Sequence, residues 1–248
     1  QLDAWGVSTG ATCSHTTATG QGHEKSDYFA PGLTVTPFSP TEFKSGRHHR
    51  TAMSRPHVVA ICGSLRDESH TRKGLEHALD RAAETGGETD LLDLRAWDLP
   101  VYDADASDAG DAEAFTARVR EADAILLGTP VYHGSYATPL KNALDYCGFD
   151  EFENKTVGLL AVAGGSFPIT ALEHLRSVCR ALNAWVLPHQ AAIPRASDAF
   201  EGDATDWQFV DEGAGERVAV LGERAVEYAT IEPDPPCMES TENVGADD

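Results

Sequence analysis

The chain has 248 residues, 41% of them hydrophobic, which is enough for one large or two small domains with a full apolar core. Acidic side chains outnumber basic ones by 40 to 19, a formal net charge of −21, so nucleic acid and anionic membranes are repelled and both drop out as partners. No run approaches the ~20 consecutive apolar residues that span a bilayer, and the first residues lack a basic start followed by an apolar stretch. A cytoplasmic location is therefore expected.

The acidity is diffuse, as in Asp103-Ala104-Asp105 and between Asp198 and Asp211, while Lys is scarce. That pattern is expected of a protein adapted to high intracellular salt, where screening weakens self-repulsion. Cys13, Cys62, Cys147, Cys179 and Cys237 are dispersed and form no C-x-x-C pair, and the ten His residues show no zinc-ligand spacing. They predict reduced core thiols and no metal site.

Residues 1–52 are rich in Thr, Ser, Gly and Pro, show no periodicity, and carry four acidic and four basic residues. The charge excess thus lies after them. Met53 stands just before the first apolar run, so residues 1–52 are expected to be a disordered extension or an over-extended start. From there apolar runs alternate with amphipathic stretches. Strands are predicted at 57–62, 88–94, 124–128, 156–162 and 184–188, and helices at 72–85, 111–121, 139–147, 169–182 and 215–228. An acidic, flexible tail follows over 231–248. Five strands and five helices fit an α/β three-layer sandwich with a five-stranded parallel sheet in the flavodoxin-like order 2-1-3-4-5. A dinucleotide-type Rossmann sheet fits less well, because the first turn lacks G-x-G-x-x-G and no sixth strand is evident.

In such sheets ligands sit at the carboxyl ends of the strands, where strand order reverses. Three turn-like segments should meet there: 63–71, 129–136 and 163–167. The first carries Gly63, Ser64, Arg66, Ser69 and Thr71 between a strand and a helix. Free N–H groups, the helix dipole and hydroxyl donors make it a candidate phosphate cradle. Any strand-turn-helix junction also uses Gly for its turn and Ser or Thr as an N-cap, and the segment alone does not separate the two readings. Cys62 has the place of a phosphatase nucleophile, but that chemistry needs an arginine six positions on, where Glu68 stands.

Three motifs together resemble the NAD(P)H-dependent FMN reductases of the flavodoxin-like superfamily, which include quinone and azo-dye reductases. They are Gly63-Ser64-Leu65-Arg66 with Ser69 and Thr71, then Thr129-Pro130-Val131-Tyr132 followed by Pro139-Leu140-Lys141-Asn142-Ala143-Leu144-Asp145-Tyr146, and Gly164-Gly165-Ser166. The resemblance runs from Met53 to about Tyr228 and implies a reductase domain over 53–230. It implies that Ser64, Ser69, Thr71 and Arg66 hold the FMN phosphate. Pro130, Val131, Tyr132, His133, Gly134 and Ser135 would run along the isoalloxazine, with Gly164, Gly165 and Ser166 at its pyrimidine side. Many members carry Asn where this chain has Gly134. NADPH or NADH would be the hydride donor, and free flavin, a quinone or another small molecule the acceptor. No protein acid or base is required, because hydride passes through FMN. The apolar face of the helix beginning near Pro139 could be plain core, but the resemblance implies that this helix packs subunits together into a homodimer or homotetramer. The alternative is a flavodoxin-like FMN electron carrier reduced by a protein partner, for which an acidic docking surface would also suit.

Overall fold

β1 (His57–Cys62) sends Val58, Ala60 and Cys62 into one apolar cluster and Val59 and Ile61 into another. A strand covered on both faces reads as an unbroken apolar run, and this is the reason β1 is visible in sequence. The computed structural model describes residues 55–203 and 206–231. The expectations for residues 1–52 and for the tail after 231 lie outside the described residues.

α1 (His70–Glu84) leads to β2 (Glu88–Asp93), which pairs parallel with β1 from His57↔Glu88 to Cys62↔Asp93. α2 (Ala112–Arg120) then leads to β3 (Ala124–Tyr132) on the other side of β1, and the next parallel neighbour is β5 (Thr156–Val162). Between β3 and β5 lie β4 (Ser135–Tyr136), α3 (Thr138–Asp145) and α4 (Phe149–Phe152). After β5 come α5 (Ile169–Ala181), β6 (Trp185–Val186), β7 (Ala191–Ile193), α6 (Ala196–Ala199), β8 (Phe200–Gly202), β9 (Trp207–Phe209) and α7 (Glu212–Tyr228). Leu75 and Ala78 of α1 with Val218 and Leu221 of α7 cover one face of the sheet; Phe115 of α2, Leu140 of α3 and Leu172 of α5 cover the other. The three layers follow from these two clusters.

The expected five-strand count is corrected. Among the described residues the sheet has seven strands: the path is β2-β1-β3-β5-β6, with β4 paired to β3 and β7 paired to β5. Two local causes account for the difference. β3 runs past its expected end at Gly128 and folds back antiparallel onto β4 through His133 (φ 51°) and Gly134 (φ 78°), the double positive φ of a tight two-residue hairpin. The last parallel position is split into β6 and β7 by 187–190, where Pro188 brings no N–H to the ladder. Arg176 of α5 stabilises the break by donating to the Leu187 carbonyl at 3.0 Å and to Gln190 Oε1 at 2.8 Å. The pair β8 and β9 forms a separate hairpin that sequence periodicity did not announce.

Candidate functional site

A cleft of about 270 Å³ opens at the carboxyl ends of β1, β3 and β5. Of the residues predicted to form the site, Ser64, Arg66, Thr71, Pro130, Val131, Tyr132 and Gly164 line it together. Sequence separations of up to 100 residues thus close at one sheet edge.

The segment 63–71 is tightly built. The Gly63 N–H donates to the Gly128 carbonyl at 2.8 Å, and a Cβ on Gly63 would stand 2.7 Å from Leu140 Cβ. Glycine here is demanded by the close approach of α3. Ser64 and Thr71 are buried, and Ser64 Oγ accepts a long hydrogen bond from the Arg66 N–H at 3.5 Å. Ser69 is buried as the N-cap of α1, its Oγ accepting from the Arg72 N–H at 3.1 Å, and it does not line the cleft. The N–H groups of Asp67, Glu68, His70 and Thr71 have no acceptor among the described residues. They lie where the positive end of α1 favours an anion.

The other predicted residues diverge. His133 and Gly134 form the exposed hairpin turn, and Ser135 Oγ lies 3.0 Å from His174 Nδ1 on α5, an interaction that ties the hairpin down. Gly165 and Ser166 are exposed in the loop after β5 and do not line the cleft. A Cβ on Gly164 or Gly165 would meet nothing within 4 Å, so packing inside the chain does not require glycine at either position.

Four lining residues escaped the sequence reading: His70, Val162, Ala196 and Ser197. His70 follows the N-cap directly and stacks on Phe200 at 5.0 Å between ring centroids. Burial, followed by the nearby Lys73 and Arg66 charges, holds its imidazole below the ordinary value of 6.5, with Glu68 opposing. Ala196 and Ser197 arrive from the far side of β7, in a segment without periodicity. Arg195, just before them, adopts φ 44° and donates its N–H to the Gly165 carbonyl at 2.9 Å. Beneath the cleft, burial pushes the Cys62 thiol up to about 11, consistent with an inert core group. Among the described residues no helix is long and apolar enough to cross a membrane.

The architecture defines a doubly wound α/β protein with a cleft at the switch point of the sheet, the place where such folds hold ligands. Solved structures share this fold: an NADH:FMN oxidoreductase in its apo form, 20% identical, covers 73% of this chain and 94% of its own with a TM-score of 0.58. A flavoenzyme NAD(P)H:(acceptor) oxidoreductase from Paracoccus denitrificans, 24% identical, covers 70% of this chain and 97% of its own, also at 0.58. In sequence, residues 56–198 match the model of the NADPH-dependent FMN reductase family, and the chain belongs to that family. It is 32% identical over 163 residues to an FMN-dependent NADPH-azoreductase of Staphylococcus saprophyticus, which covers 62% of this chain and 81% of that relative. A Staphylococcus aureus protein of the same description is 33% identical over 140 residues, 54% of this chain and 74% of its own length. The chain is therefore an NAD(P)H-dependent flavin oxidoreductase with FMN as its cofactor.

Proposed function

We propose that residues 53–230 form one FMN-binding reductase domain that uses the cleft at the ends of β1, β3 and β5 to pass electrons to a small planar acceptor. The observation that carries this reading is the convergence of Ser64, Arg66 and Thr71 with Pro130, Val131, Tyr132 and Gly164 on one cleft. The residues fit the cofactor. Unpaired N–H groups at the start of α1, buried hydroxyls and the exposed Arg66 suit a phosphate, whereas Pro130, Val131 and Tyr132 offer an apolar wall to a flat ring. Open space beside Gly164 and Gly165 leaves backbone N–H groups free to approach ring atoms that gain charge.

FMN held by these residues would supply the hydride- and electron-transfer chemistry. The chain's residues orient and shield. Arg66 supplies charge to the phosphate end; Tyr132, 52% exposed, packs against whichever flat molecule enters. Ser69 supports the site as the cap of α1. Hydride transfer needs close stacking at about 3–3.5 Å between donor and acceptor rings, so the exposed loop after β5 serves better as an entry than as a catalytic wall.

The exposed ring side favours acceptors recognised by shape, such as free flavin, a quinone or an azo compound. NADH and NADPH oxidation should be followed for the FMN-loaded chain with a panel of these. Turnover with at least one acceptor class is expected. Protein that holds FMN and consumes neither nucleotide with any acceptor would sink the reductase reading of this cleft.

A further inference from the structure

Side chains that do not line the cleft hold segment 63–71 from behind. Arg72, in the first turn of α1, donates Nη2 to the Asp67 carbonyl at 2.8 Å and Nη1 to the Asp93 carboxylate at 3.3 Å. Arg95, in the short turn Leu94–Ala96 that follows β2, donates Nη1 to the Arg66 carbonyl at 3.4 Å and Nη2 to the Asp67 carboxylate. Asp93 accepts the Arg95 N–H at 3.1 Å through its other oxygen. Arg72, Asp93, Arg95 and Asp67 are thereby one network joining the end of β2 to the back of the loop.

Two cationic side chains on successive carbonyls fix two peptide planes. In a trans peptide the N–H points opposite to the carbonyl. The peptide whose carbonyl faces Arg95 turns the Asp67 N–H the other way, and the peptide whose carbonyl faces Arg72 does the same for Glu68. Neither N–H has an acceptor among the described residues, and both adjoin the unpaired N–H groups of the α1 terminus. Successive N–H groups directed to one side form a concavity for an anion. The network also bears on charge, because Arg95 takes up the Asp67 carboxylate, which would otherwise oppose a dianion.

We propose that Arg72 and Arg95 are positioning residues that hold the backbone of residues 66–68 with the Asp67 and Glu68 N–H groups presented to the FMN phosphate. The inference rests on the reading of this loop as the phosphate end of the site. Without the clamps, the loop must be ordered at the moment of binding, and that cost falls on the phosphate contact alone.

Riboflavin shares the ring of FMN and lacks the phosphate, so the two flavins separate a phosphate effect from a general one. Flavin fluorescence titrations of the apo full chain, its Arg72→Lys and its Arg95→Ala variants with both flavins test the proposal. FMN affinity should fall about tenfold in Arg72→Lys, the low end of losing one hydrogen bond to a charged group, and about threefold in Arg95→Ala, whose contacts are exposed. Riboflavin affinity should stay unchanged. Equal losses for both flavins in Arg95→Ala, or no loss for FMN in either variant, overturn the proposal. Arg95 lies outside both apolar clusters, so its variant decides the matter even where Arg72→Lys does not fold. A wild-type chain that binds FMN no more tightly than riboflavin overturns instead the phosphate reading of the loop.

Discussion

Leaving β1, Gly63 has no room for a side chain: a Cβ would stand 2.7 Å from Leu140 Cβ and 3.0 Å from the Gly128 carbonyl. Leaving β5, Gly164 and Gly165 have open space around them, Phe167 is 80% exposed, and the loop is tied mainly by backbone bonds to 193–196. The first loop buries Ser64, Ser69 and Thr71 and is clamped by two arginines; the second buries little before α5. Loops with few buried contacts open at low cost and rigid ones do not. On the proposed reading of the cleft, the contrast would separate a preformed anion end, where one chemical group is always the same, from an adaptable ring end, where acceptors differ.

The sharpest way to break this contrast is to place the same methyl group on each side. Gly63→Ala should lower unfolding stability by about 1–3 kcal/mol, the cost of overpacking against a backbone carbonyl and a helix side chain. Gly164→Ala should stay within about 0.5 kcal/mol of the parent and express its effect as altered flavin absorbance. Urea unfolding of the apo forms checks both. Equal destabilisation would mean that the two loops are packed alike. Ser69→Ala comes next: losing the α1 cap should cost about 1 kcal/mol, read in the same titration. Because the cap positions the helix terminus, FMN should also bind more weakly.

Arg66 sharpens the comparison from the charge side. Its guanidinium is exposed, so its pull on a phosphate should be screened by salt, and Arg66→Ala should weaken FMN binding several-fold in dilute buffer and little at molar KCl, where the screening length is about 3 Å. Riboflavin binding should be insensitive to both changes. Calorimetric titrations at two salt concentrations decide this. A salt-independent loss would assign Arg66 a packing role.

Legibility followed burial. β1 and β5 are covered on both faces and stand out as apolar runs, and α5 was placed within one residue because its buried Leu172, Leu175 and Cys179 keep helical spacing. β3 lost its last four residues in the sequence reading because Thr129-Pro130-Val131-Tyr132 has the composition of a turn; its extension depends on pairing with a two-residue strand too short to show a period. Ser69 was open between cap and phosphate donor, and its bond from the Arg72 N–H establishes the cap role. In the site, most residues near a strand end were legible, since strand ends define the cleft; Val162, which closes β5, reads as core. His70, Ala196 and Ser197 were not: one hides behind a cap, and the others depend on how the chain turns after β7. The arginine clamp was equally hidden, because β2 pairing brings Arg95 behind a loop 29 residues earlier.

His70 offers the smallest and most discriminating effect, since it stands at the rigid end only. Its folded pKa lies below 6.5, chiefly from burial and then from Lys73 and Arg66. The unfolded chain therefore takes up the proton first as pH falls, and the stability tied to neutral His70 is present above 6.5 and is lost as pH drops through the folded value. Apo protein should lose stability between pH 7 and pH 5 slightly more steeply than a His70→Gln variant, by urea unfolding at each pH. Partial exposure keeps the difference small. A phosphate seated beside His70 would favour the protonated ring, so FMN should reduce the difference between the two slopes, whereas riboflavin should leave it intact. If both flavins act alike, the anion does not reach the α1 terminus, and the division between a fixed phosphate end and an open ring end loses its chemical basis.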